Sequence, residues 1–206
     1  MRMRRLAGRV LGIIVALLLI AGAGVVAWYF LVYTKSPGYA LNQFFAAAKA
    51  NDTERVSRYT DKSGALMLLI MQFGDPVQVI YPGYGRTDVG KVEKVEVNSL
   101  TVEGETAKAQ VTMEISTPQG ERRTIRPTYV LRKTDEGWKV AVEATLAGSF
   151  NEFIPAAVQQ MMLRQIRNMV SNPLAAQAAR MQLQGVRAEI EKYPQLRDFL
   201  RKAGLY

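Results

Sequence analysis

Residues 107–115 read Ala-Lys-Ala-Gln-Val-Thr-Met-Glu-Ile, and the reading of this stretch decides the fold class. Ala107, Ala109, Val111, Met113 and Ile115 fall on one side of an extended chain, with Lys108, Gln110, Thr112 and Glu114 on the other. A strand in an antiparallel sheet with one packed face and one wetted face requires that alternation. Working outward, the period of two extends from Lys91 to Thr145. Three turn signals, Glu103-Gly104-Glu105, Pro118-Gln119-Gly120 and Asp135-Glu136-Gly137, divide the region into four strands. Ile125, Tyr129 and Leu131 share a face in the third, together with Pro127. Proline cannot donate a ladder hydrogen bond, so it marks a bulge or an edge. Trp138, Val140, Val142 and Ala144 continue the alternation through the fourth.

Upstream the period becomes helical. Ser36-Pro37 is a helix start, with serine as the cap and proline in the first turn, where its missing N–H costs nothing. Ala40, Leu41, Phe44, Phe45 and Ala48 then define one apolar face. Asn51-Asp52 interrupts this face, and Asp52 caps a second short helix carrying Val56 and Tyr59. A third apolar stretch, residues 65–73, leads into Gly74-Asp75-Pro76. The sequence Tyr81-Pro82-Gly83-Tyr84-Gly85-Arg86 then enforces turns.

Helices followed by an antiparallel sheet give an α+β fold, expected as helices wrapped by a strongly twisted sheet of four strands. At this point the residues resemble the nuclear-transport-factor-two-like superfamily. The likeness rests on Pro37-Gly38-Tyr39-Ala40 through Phe44-Phe45-Ala46-Ala47-Ala48, on Ala50-Asn51-Asp52 with Val56 and Tyr59, and on Asp135-Glu136-Gly137-Trp138-Lys139-Val140. Within the superfamily the chain looks like small bacterial membrane-anchored or lipoprotein members of unknown function. The resemblance implies a cone-shaped fold, helices packed on a curved sheet with a cavity between them, used by some members for ligands and by others for partners.

Enzymes of that superfamily, such as the ketosteroid-isomerase-like members, place a carboxylate base in the cavity beside a tyrosine or protonated-acid donor. Here Tyr59, Tyr81, Tyr84 and Tyr129 offer hydroxyls. The inward strand positions carry Ala, Val, Met, Ile and Trp, and no inward carboxylate is expected. Asp52 reads as a cap, and Glu93, Glu96, Glu114 and Glu143 as wetted sheet positions. The expected ligand-contacting residues are therefore the aromatic ones: Tyr59, Tyr81, Tyr84, Tyr129 and Trp138. For Tyr129 and Trp138 a plain core role stands beside that reading, because large rings dominate core burial. The loop at residues 81–86 reads either as the rim of a pocket or as a connector.

Composition narrows the chemistry further. The 206 residues contain no cysteine and no histidine, which removes disulfides, thiolate metal sites and the usual base of a serine or cysteine triad. No cofactor and no metal are expected. The formal net charge is +9, of which Arg2, Arg4, Arg5 and Arg9 supply four. No basic run is interleaved with stacking aromatics, so nucleic-acid binding is not expected.

Residues 1–9 form a basic arm, and residues 10–33 read as a transmembrane signal anchor. Val10 to Val32 holds no charge across 23 residues. As a helix this run measures about 35 Å, against a hydrocarbon core of about 30 Å. Val10, Leu17, Val25, Trp28 and Val32 lie along the span. Arg4, Arg5 and Arg9 mark one interface, and Trp28, Tyr29 and Tyr33 the other. The arginines keep the N-terminus cytoplasmic and send the remainder outward, locating the chain as a single-pass protein of the inner or plasma membrane. A cleaved signal peptide is the rival reading, with small residues at Ala21-Gly22-Ala23. The apolar run outlasts a signal core of about 7 to 15 residues and favours the anchor.

The remaining chain divides into a domain at residues 34–148 and a helical extension at 149–206. In the extension Phe153, Ile154, Val158, Met161, Met162, Ile166, Met169 and Val170 form an apolar stripe up to Asn172-Pro173. From Phe150 onward eight basic residues face four acidic ones. The stripe is expected to pack on its own domain, with a protein partner in the envelope or an anionic membrane as the alternatives. The function expected is a membrane-tethered, non-catalytic binding or scaffold module whose partners are the lipid bilayer and envelope proteins. An assembly subunit, by likeness to type IV secretion inner-membrane subunits of the superfamily, and a cavity enzyme for a hydrophobic small molecule are the alternatives.

Overall fold

The computed structural model describes residue 28 and residues 32–71, 74–85, 90–117 and 120–206. Of the expected anchor, Arg4, Arg5, Arg9, Val10, Leu17, Val25 and Tyr29 lie outside the described residues. Among the described residues no helix is long and apolar enough to cross a membrane.

The chain enters through a short 3-10 turn, Tyr33–Lys35, and then forms α1, Pro37–Lys49. Ser36 caps α1 by accepting the Tyr39 N–H, and Asp52 caps α2, Thr53–Arg58, by accepting that of Arg55. Both caps sit where the sequence places them. Strand β1, Thr60–Asp61, is followed by the short helices α3, Met67–Met71, and α4, Pro76–Ile80. The sheet continues with β2, Lys91–Glu103, β3, Thr106–Ser116, β4, Arg122–Ile125, β5, Thr128–Thr134, and β6, Gly137–Ala141. The spatial order is β1-β6-β5-β3-β2, with β4 also paired to β3.

Two differences from the expected four antiparallel strands have clear physical causes. The sheet has six strands and is mixed, because β1 lies parallel to β6, pairing Thr60 with Val140 and Asp61 with Ala141. A two-residue strand is too short to leave a periodic trace. The expected third strand is also split in two. Pro127 separates β4 from β5, and its carbonyl accepts the Val111 N–H at 3.0 Å, so the ladder is bridged although proline itself donates nothing.

The third difference shapes the molecule most. The last strand stops at Ala141, and Val142–Gly148 forms α5. Val142, Thr145, Leu146 and Ser149 recur at spacings of three and four, so the segment satisfies a helical period as well as the alternating one. The two hydroxyls decide between the periods. Thr145 Oγ1 accepts the Val130 N–H at 3.0 Å and lies 3.3 Å from the Val130 carbonyl that it meets as donor. Ser149 Oγ does the same for Thr128, at 2.8 and 3.3 Å. Two side chains one helical turn apart thus supply the edge of β5 with the bonds that a continuing strand would have given.

The inner face of the sheet and α1 to α4 enclose one core, in which Leu41, Phe44, Val77, Ile80, Ala109, Val111, Met113, Tyr129, Leu131 and Val140 are fully buried. All five inward residues of β3 are buried, as the alternation requires. After α5 come α6, Phe150–Phe153, α7, Ala156–Val170, α8, Pro173–Gln184, α9, Arg187–Ile190, and α10, Pro194–Lys202. These close a second core around Leu66, Phe150, Leu163, Leu183, Ile190, Phe199 and Leu200. The extension therefore packs on its own domain, since Leu66 of the domain shares this core with Phe150, Leu163 and Phe199. Part of its apolar stripe stays outside, since Met161 and Met169 remain about half exposed.

Replacing Thr145 by Val preserves shape while leaving the Val130 N–H without its acceptor. A loss of about 1–3 kcal/mol in unfolding free energy is expected, read from urea denaturation. An unchanged midpoint would show that the hydroxyl is dispensable.

Candidate functional site

The space between the sheet and α1 to α4, where a ligand cavity was expected, is built from rings. Phe44 and Phe45 point inward from α1 and meet Tyr129 from β5, with centroids 6.1 and 5.0 Å away. Tyr81 closes on Phe44 and Phe45 from the loop side, and Phe153 stands at a right angle to Tyr129 from the far side. Tyr129 is wholly buried, and its hydroxyl donates to the Ile80 carbonyl beside the Met113 sulfur at 3.5 Å. Burial holds that phenol well above the usual tyrosine value. The ring is thereby tied to α4 as part of the packing.

The five aromatic candidates do not converge on one cavity. Tyr84 is buried in the core, whereas Tyr59 and Trp138 are half-buried against it. Tyr81 lines a pocket of about 230 Å³ between the end of α1, the loop after α4 and the start of β2. Its walls include Ala48, Lys49 and Asn51 from the end of α1, Tyr81-Pro82-Gly83 from the loop, and Gly90-Lys91-Val92 at the start of β2. Two features shape this pocket. Gly83 has φ +90°, and a Cβ there would stand 2.7 Å from the Gly90 carbonyl oxygen, so only glycine lets the loop close on the strand. Asn51 takes a left-handed conformation, φ 53°, and its side-chain oxygen accepts the Gly85 N–H at 2.9 Å. Burial pushes the Tyr81 phenol up to about 12, leaving it neutral. Lys49 and Lys91 line the pocket with no carboxylate among the lining residues, although Glu93 stands 3.9 Å from the Lys91 ammonium, and such a wall suits a small anionic group.

A second constellation was missed by the sequence reading. Glu143, expected as a wetted sheet residue, is buried because α5 replaces the strand and turns its second residue inward. Its Oε2 accepts the Leu66 N–H at 2.9 Å. Gly64, at φ +144°, leaves room for this carboxyl, since a Cβ there would fall 1.9 Å from Oε2. Glu93, Glu96 and Glu114 are exposed as expected. Burial is the largest influence on Glu143 and raises its pKa. The Leu66 N–H works the other way, Glu189 adds to the rise, and Arg132 opposes it. Tyr193, between α9 and α10, is pushed up to about 12 by burial and by the same two carboxylates. Arg132 is itself held by Asp61 at 2.9 Å and Ser63 at 3.1 Å. A buried acid, a second carboxylate and a phenol thus meet where the sheet, the loop after β1 and the C-terminal helices join. The geometry is that of a joint: the carboxyl is turned onto backbone of its own chain. The spacing Val142-Thr145-Leu146 was the one signal that could have revealed it.

Among the described residues no group of acidic side chains is arranged to hold a metal ion. No protein-family model matches the chain, and no curated protein matches it at a significant level. Three solved structures are similar in part. A SEC-C motif containing protein from Rhodopseudomonas palustris shares 13% identity over 52% of this chain and 76% of its own, with a TM-score of 0.39. An NTF-2 like protein of unknown function from Shewanella oneidensis shares 12% identity over 50% and 89%, with a TM-score of 0.37. A Campylobacter jejuni protein named as an NTF2-like transpeptidase shares 20% identity over 52% and 98%, with a TM-score of 0.31. Likenesses of this extent identify no site and no activity.

The folded chain holds the Glu143 proton more tightly than the unfolded chain does. This group therefore favours folding while protonated, and its contribution is lost as pH rises from the usual value of about 4.5 through the raised one. Glu143→Gln keeps an oxygen for the Leu66 N–H and removes the titration. The variant is expected to gain stability relative to wild type as pH rises from about 4.5 toward neutrality. A difference in urea midpoint that stays constant with pH would refute this. Glu143→Ala, which strands the Leu66 N–H, should lose about 1–3 kcal/mol near pH 5.

Proposed function

We propose that the chain is a membrane-tethered, non-catalytic binding module of the cell envelope, held by residues 10–33 with its domain on the far side from the arginine-rich arm. The observation that carries this reading is the filled space between the sheet and α1 to α4. The space that would admit a substrate is taken by Phe44, Phe45, Tyr129 and Phe153, while the one buried carboxyl of the joint is turned onto backbone. Catalysis on a hydrophobic small molecule needs an acid or base facing open apolar volume, and Glu143 faces packed chain. Binding then falls to surfaces, first among them the basic mouth formed by Lys49, Asn51, Tyr81 and Lys91. Helices first and a six-stranded mixed sheet packed on them support placing the chain in the nuclear-transport-factor-two-like superfamily, and the uncharged run at residues 10–32 supports placing it among the small membrane-anchored members.

One observation favours the assembly-subunit reading as a second. Helices α7 and α8, residues 156–184, carry Arg164, Arg167 and Arg180 with no acidic residue. They also leave Met161, Met169, Leu174 and Met181 exposed. Flexible thioether side chains on a basic surface suit an envelope protein partner.

Alkaline washing of membranes containing the full-length chain is expected to leave it in the pellet, and deletion of residues 2–27 to release it. Release of the intact chain would remove the tether. Co-purification from native membranes in mild detergent separates the two readings, since a fixed-stoichiometry partner lost on Met169→Lys and Leu174→Lys substitution supports the assembly subunit. A turnover abolished by one point substitution would defeat the non-catalytic reading.

A further inference from the structure

The helices cover the inner face of the sheet over β3 and the first part of β2, where Val92 is buried, and leave the second half of β2 open at the free edge. Ala107, Ala109 and Val111 on β3 are buried, but the residues registered opposite them on β2 are not. Val102, opposite Ala107, is 51% exposed; Leu100, opposite Ala109, is 37% exposed; and Val97, opposite Val111, is 39% exposed. Among the described residues no strand pairs with the outer side of β2. Three aliphatic side chains thus stand in one row on a sheet edge, a placement that soluble proteins ordinarily blunt with charge. The charged residues of the strand are already matched, Lys91 with Glu93, Lys94 with Glu96, and Glu103 with Lys108.

The place of this row identifies its occupant. Leu100 approaches the first turn of α1 so closely that a Cβ on Gly38 would lie 3.4 Å from its Cδ2. Gly38 is six residues beyond Val32, the last residue of the uncharged run. The link between them is folded: Trp28 stacks on Tyr33 at 6.0 Å, Tyr33 meets Tyr39 edge-on at 5.6 Å, and the Tyr33–Lys35 turn shortens the path. Trp28 and Val32 are themselves more than half exposed. Even fully extended, six residues span only about 20 Å, so a tether ending at Val32 keeps Leu100 and the β2 row close to the membrane surface.

We propose that Val97, Leu100 and Val102 rest in the interfacial layer of the bilayer that holds the tether, so that the domain lies on the membrane by the free edge of its sheet. This rests on the tether of the proposed function and adds the orientation of the domain. Because the neighbouring charges are paired within the strand, contact depends on apolar burial and is indifferent to headgroup charge.

The absence of native cysteine allows single labels on the full-length chain in nanodiscs of zwitterionic lipid. Val102→Cys and Leu100→Cys, carrying a polarity-sensitive dye, are expected to shift to the blue and to be quenched by headgroup-proximal spin-labelled lipid at least twofold more than Met169→Cys. Val25→Cys, quenched by acyl-chain labels, reports the tether separately. If Val25→Cys is quenched while Leu100→Cys and Val102→Cys match Met169→Cys, the tether stands and the proposal fails. If Val25→Cys is not quenched, both fall. Disulfide dimers through Val102→Cys, without quenching, would assign the row to a second copy and also overturn it. Far-ultraviolet circular dichroism confirms that each labelled variant is folded. Anionic lipid is expected to leave the quenching unchanged, and quenching that appears only with anionic lipid would refute the apolar basis of the contact.

Discussion

The edge of β5 must have hydrogen-bond partners, and the way the chain meets that demand governs everything after Ala141. A buried amide without an acceptor is costly enough that some element has to lie there. Instead of extending β6, the chain turns into α5 and presents Thr145 and Ser149 one turn apart, each serving both backbone groups of one strand residue. That substitution of helix for strand turns Glu143 inward, seats α10 against α5 and α6, and gives the C-terminal helices a surface to close upon. The C-terminal share of the second core, around Phe150 and Phe199, begins in the chain directly after Ser149.

Much of this was legible in the sequence because the features involved are local. The caps at Ser36 and Asp52, the inward row of β3 and the break at Pro127 each rest on residues within a few positions of one another. What escaped depends on distant partners. The parallel pairing of Thr60 with Val140 leaves no mark on either segment. At residues 142–145 the strand and helix periods are both satisfied, and only the unpaired edge of β5 selects between them. The misreading of Glu143 follows directly from that ambiguity. Tyr129 reads as a large ring on an inward strand face, but whether rings surround a void or fill it depends on how α1, α4 and α6 approach, which periodicity does not encode.

A core filled by its own rings and a carboxyl committed to its own backbone shift attention from the interior to the periphery. There three surfaces differ in character: a small basic mouth at the end of α1, a methionine-rich basic face on α7 and α8, and an aliphatic row on β2. Their separation on the molecule is consistent with a module that is held in place, oriented, and engaged from more than one side.

The bond between Glu143 and Leu66 joins residues 77 positions apart, and the β1–β6 pairing beside it spans a similar interval. Closing so long a loop before either contact is rewarded is entropically unfavourable. The first two helices therefore emerge from the ribosome well before the strand that completes β1 exists. Folding of the domain is in this sense a C-terminal event, in which the segment from Gly137 to Ser149 acts as the clasp that fixes everything made earlier. A chain stopped short of Gly137 would carry α1 to α4 and the first five strands yet lack the segment that locks them together.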